Sequence, residues 1–147
     1  MTASTLTVAS IQMVSAPDVP SNLATAARLV AQAADAGAQL VVLPEYFALM
    51  GLNDTDKVKA REPWGDGPIQ RALADMARRH QLWLVGGTLP LEAPEPDKVY
   101  NSCVLYGPDT ASYSRTPRRA SSGSAHKPPY NSEPLHLPRP QRSGRFS

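Results

Sequence analysis

Between Leu6 and Tyr106 the apolar positions change rhythm several times, and each change predicts an element. Leu6 to Val14 (LTVASIQMV) is short, apolar and partly β-branched, which predicts a strand. Pro17 and Pro20 interrupt it. Ser21 or Asn22 can cap a helix whose apolar positions Leu23, Ala27, Val30 and Ala34 follow at helical spacing, and Gly37 suits its end. Gln39 to Leu43 is a continuous apolar run, the pattern of a strand buried on both faces. Pro44 stops it, and the pattern stays irregular to about Gly67. Pro68 fits the first turn of a second helix with Ile69, Leu73 and Met76 as its stripe and Arg71, Asp75, Arg78 and Arg79 on the wet side. Gln81 to Leu89 and Val99 to Tyr106 read as a third and fourth strand, the latter closed by Gly107-Pro108-Asp109. The order β-α-β-α-β-β predicts an α/β sheet with right-handed crossovers. Ligands of such sheets gather beyond the carboxyl ends of the strands, and Glu45 lies two residues past one of them.

Composition changes the picture from about residue 110. Residues 1–110 carry 8 Lys/Arg against 12 Asp/Glu, whereas residues 111–147 carry 7 Lys/Arg and a single acid, Glu133. The later stretch holds 8 serines, 6 prolines and 6 arginines and shows neither strand nor helix period. Such a segment buries too little apolar surface to offset its ordering entropy, so the expectation is a partial domain over 1–109 and a basic, disordered tail over 110–147. Composition, charge sign and periodicity break together there, which points to a change of reading frame or an incorrect gene model; translating the downstream DNA in the other two frames tests it.

The only cysteine, Cys103, excludes an internal disulfide framework, and no Cys/His metal spacing is spelled out. Neither a signal peptide nor a membrane-spanning run is legible, so a cytoplasmic location is the default. Neither a metal nor a cofactor is expected: Gly86-Gly87 belongs to no phosphate-binding pattern. The tail arginines could attract an acidic partner, but without aromatic interleaving or helical order they argue against specific nucleic-acid binding.

Glu45 is the sharpest candidate. A carboxylate just after a buried strand and beside Tyr46 and Phe47 is expected to be partly desolvated, which raises its pKa toward values useful to a general base. The competing reading is a solvated loop glutamate. Asp54, Asp56 and Glu62 are mixed with Lys57, Lys59 and Arg61, the composition of a solvated loop, although one that follows Glu45. Cys103 lies in an apolar strand, where a cysteine is usually an inert filler. His80 suits a helix C-terminus, and His126 and His136 stand in the tail without partners at metal spacing.

VASIQM, the helix after it and AGAQLVVLPEYF together resemble the opening of the nitrilase superfamily of carbon–nitrogen hydrolases. GDGPIQRALADMARRHQLWLVGGTLP is similar to that family's next helix and strand, and KVYNSCVLYGPD to its following hairpin strand. The resemblance covers residues 5–109 and implies the first half of an α-β-β-α sandwich. It also implies a glutamate base, a lysine and a cysteine nucleophile, in that chain order, acting on small amides or nitriles, and a tendency to form homo-oligomers. Glu45 matches the base. The lysine-bearing strand should read aromatic–x–Lys–x–His–Leu, where this chain has Tyr113-Ser114-Arg115-Thr116-Pro117-Arg118-Arg119. Lys127 adjoins Pro128 and Pro129, which argue against a strand, and no cysteine follows Cys103. The resemblance therefore implies a chain that is inactive alone. Two other readings stand beside it: an interaction module that pairs with an intact homologue, and an unrelated α/β protein sharing the strand–Pro–Glu pattern.

Overall fold

The computed structural model describes residues 5–109 and the strand 114–119; the rest of the basic segment, with His126, Lys127 and His136, lies outside the described residues. The elements run β1 (Val8–Ser10), α1 (Val19–Asp35), β2 (Leu40–Val42), α2 (Asp54–Lys59), α3 (Pro68–His80), β3 (Trp83–Val85), β4 (Leu89–Glu92), β5 (Val99–Tyr106) and β6 (Ser114–Arg119). The expected α/β order is present, with α2 and β6 added and the third strand divided in two.

β1, β2 and β3 are parallel, joined by α1 and by the α2–α3 segment; β5 runs antiparallel to β3 and β4, and β6 antiparallel to β5. Ser102 pairs with Leu89 on one side and Pro117 on the other, and Leu105 pairs with Val85 and Ser114, so β3 and β4 both flank β5 on the side away from β6. They form one bent strand. Between the pairs Val85–Leu105 and Leu89–Ser102, the residues Gly86, Gly87 and Thr88 face only Cys103 and Val104, which is a β-bulge.

The core lies on one face of this sheet. Ala9, Val41, Leu84 and Tyr106 form a cross-strand row, and the last three are buried against Ala26 and Val30 of α1 and Leu73 and Ala77 of α3. The neighbouring rows, among them Leu40, Val42, Trp83, Val85, Cys103 and Leu105, point the other way and are only half-buried. The run QLVVL is thus buried on one face, not two, because no described element covers the second.

Helix α1 begins earlier than its spacing predicts. Asp18 is the N-cap, its carboxylate accepting from the Ser21 amide at 2.9 Å, and Pro20 sits in the first turn, where its missing N–H costs nothing. Asn22, expected as a cap, is 2% exposed. Its side chain instead bonds Ala16 at both backbone groups and donates to the Ala48 carbonyl at 2.9 Å. Helix α3 starts after Gly67 and ends with Gln81 in the left-handed region.

Candidate active site

The chain leaves β2 through Leu43, whose amide bonds the Val85 carbonyl, and turns at Pro44-Glu45-Tyr46. The turn is seated on the β3–β4 bulge. Gly87 has φ +57°, and a Cβ there would lie 2.1 Å from the Pro44 carbonyl oxygen, so this approach requires glycine. Tyr46 adopts φ +56°, a conformation costly for a bulky residue. Three contacts hold it there. Its amide donates to the Thr88 hydroxyl at 3.0 Å, its phenolic oxygen accepts from the Asn101 side chain at 3.3 Å, and the Lys57 ammonium lies 3.8 Å from its ring centroid. On the far side of the turn, Phe47 and Ala48 are fully buried, and their carbonyls accept from Ser15 and Asn22.

Glu45 is therefore the free group in a fixed bend. It is exposed, and its side chain makes no hydrogen bond or ion pair with the described residues. The desolvation expected from Tyr46 and Phe47 does not occur: Phe47 turns into the core, and nothing in the described part of the chain closes over the carboxylate.

The acids of the following segment are not merely solvated. Asp56 caps α2, accepting from the Leu52 and Asn53 amides at 3.0 and 2.9 Å, and the Asn53 amide holds its carboxyl below the usual range. Asn53-x-x-Asp56 spells a capping box, so this short helix was recoverable from the sequence. Glu62 is 4% exposed and faces the first turn of α3, one oxygen accepting from the Ile69 amide and the other from the Gln70 amide and side chain at 3.1 Å. Its backbone pairs with Leu91. Burial first, and then the Glu62 charge, raise the phenol of Tyr106.

Cys103 sits on β5, half-buried on the face away from the helices, and burial pushes its thiol up, opposite to the activation a nucleophile needs. The strand after the Gly107-Pro108-Asp109 turn exists as β6, with Cys103 opposite Thr116 and Val104 opposite Arg115. It contains arginine but no lysine. Among the described residues the ammonium at the Glu45 bend is that of Lys57, whose segment has the composition of a solvated loop.

A sequence profile of carbon–nitrogen hydrolases matches residues 7–127, continuing past the change in composition near residue 110. A deaminated glutathione amidase from Synechocystis is 36% identical over 102 residues, which is 69% of this chain and 37% of that protein. The omega-amidase NIT2 of Xenopus tropicalis is 33% identical over 100 residues, 67% of this chain and 34% of its own length. The chain thus spans little more than a third of these relatives. The crystal structure of Saccharomyces cerevisiae Nit3, of the nitrilase superfamily, superposes with a TM-score of 0.62 at 28% identity, covering 71% of this chain and 40% of that one.

Proposed function

The chain belongs to the carbon–nitrogen hydrolase family, and on that premise we propose that it carries part of an amidase-type centre in which Glu45 is the general base. In such a centre a cysteine thiolate attacks the amide carbon. The glutamate takes the thiol proton, delivers it to the leaving amine, and then activates the water that cleaves the thioester. A lysine stabilises the oxyanion of both tetrahedral intermediates. The observation that carries this reading is the bend itself. A carboxylate without a partner among the described residues projects from a strained turn that Gly87, Thr88 and Asn101 fix at the carboxyl end of a central parallel strand.

The other two groups are not supplied by these 147 residues, since no lysine stands between Lys98 and Lys127 and no cysteine follows Cys103. Hydrolysis of a small amide or nitrile then requires a lysine and a cysteine from outside these residues. Fusing residues 5–109 to the remaining portion of an omega-amidase tests the role of Glu45. The fusion should release ammonia from amides, and Glu45→Gln should lower kcat at least about a hundredfold, the scale of a general base. A folded, active fusion indifferent to Glu45→Gln would refute the assignment.

The uncovered sheet face favours a second reading, that of an interaction module pairing with an intact homologue. Co-purification with a full-length relative at defined stoichiometry would support it. No described helix is long and apolar enough to cross a membrane.

A further inference from the structure

Ser102 and Tyr106 alternate onto the same face of β5, opposite the buried Leu89 and Leu84, and are 0% and 2% exposed. Neither side-chain hydroxyl has a hydrogen-bond partner among the described residues. A buried hydroxyl in that position has lost its hydration without compensation, so a dry core favours alanine and phenylalanine there. The geometry brings the two groups toward each other. Tyr106 pairs with Leu84, yet its ring edge reaches Gly86, which bonds Val104, two residues nearer Ser102. A Cβ on Gly86 would lie 3.3 Å from Tyr106 Cε2 and 2.8 Å from Leu73 Cδ1, so the glycine leaves room for a ring that leans along β5 beneath α3. Glu62 borders the same place. Its charge acts on the Tyr106 phenol, and its Oε1 accepts from the Ile69 amide with a second lone pair to spare.

We propose that Ser102 and Tyr106 enclose an internal hydration site, where a water molecule accepts from the Tyr106 hydroxyl and donates to Ser102 Oγ and to Glu62 Oε1. Buried waters typically make about three hydrogen bonds to groups that would otherwise lack partners, and these three groups supply them. The chemistry selects water over an ion. The Glu62 carboxylate repels an anion, and among the described residues no group of three His, Cys, Asp or Glu side chains could hold a metal. The water links the carboxylate that caps α3 to β5, beside the bulge on which the Glu45 turn is seated. This assignment is independent of any catalytic role for Glu45.

Stability separates a hydrated pair from a dry one. Were the hydroxyls dry, Tyr106→Phe and Ser102→Ala would leave the unfolding equilibrium of the 147-residue protein unchanged or shift it toward the folded state. With a shared water, each single variant removes one of its partners and weakens the bonding of the other hydroxyl. Each should then raise the unfolding constant at least about fivefold, the scale of one lost hydrogen bond. The double variant should raise it by clearly less than the product of the two, because both substitutions remove the same bridge. A crystal structure of the unaltered protein, which does not depend on any variant folding, should show solvent density within hydrogen-bond distance of both hydroxyls. Unchanged or increased stability in either single variant, effects that multiply in the double variant, or no such density would each overturn the proposal.

Discussion

Glu62 shows how far residue type alone can mislead, and Cys103 how far it can serve. Both oxygens of Glu62 serve the first turn of α3, whose amides would otherwise be buried without partners, and a Cβ on Gly67 would run into that carboxylate. Removing it in Glu62→Ala should cost about 2–3 kcal/mol, read as a lower urea midpoint with an unchanged slope, and Glu62→Gln should cost less because one acceptor remains. The sequence hid this role because charge patterning reports neighbours in the chain, and the partners of Glu62 follow seven and eight residues later across a turn. Cys103 was legible as a strand cysteine. Burial raises its thiol, so the folded protein prefers the neutral form. That contribution to stability is fully present below the unfolded thiol pKa of about 8.5 and is lost as pH rises through the folded value. At pH 8.5, iodoacetamide should therefore modify Cys103 at least about tenfold more slowly in the native protein than in urea. Equal rates would show that the thiol is not shielded.

At the scale of elements, legibility followed burial. Helix α3 and strand β5 were read within a residue or two because each packs a patterned face onto the core. The third strand was read as continuous, yet it bends at Gly86-Gly87. The glycine pair was visible, but its reason was not, since that reason is the Pro44 carbonyl more than forty residues earlier. Gly87→Ala should cost roughly 3 kcal/mol, combining an unfavourable positive φ with a backbone clash. It should also displace the Glu45 bend, seen as large shifts in the Tyr46 and Thr88 amide resonances. A substitution tolerated without either change would separate the bulge from the site. Strand β6 escaped prediction because its composition is wrong for a strand. The long β5 edge supplies its backbone partners, and Pro117 is tolerable on an outer strand.

For the molecule as a whole, the helices α1 and α3 cover one face of the sheet and leave the other, with Leu40, Val42, Trp83 and Leu105, half-buried. Sheets of this kind pack face to face at about 10 Å, and Nit3, which shares this fold, is a longer chain of which this one covers 40%. The apolar runs on β2 and β3 look suited to burial on both sides because they are suited to it; the second layer is not among the described residues. Glu45 likewise has no described residue packed over it and is exposed where desolvation was expected. The position of a glutamate after a buried strand was legible in the sequence, and its surroundings were not, because burial depends on contacts between residues far apart in the chain. On the proposed reading, these residues hold the base of a carbon–nitrogen hydrolase centre but neither its lysine nor its nucleophile. Ammonia release from small amides by the purified 147-residue protein is the decisive measurement. No release above the buffer rate is expected; steady release that disappears in Glu45→Gln would show a complete centre in these residues.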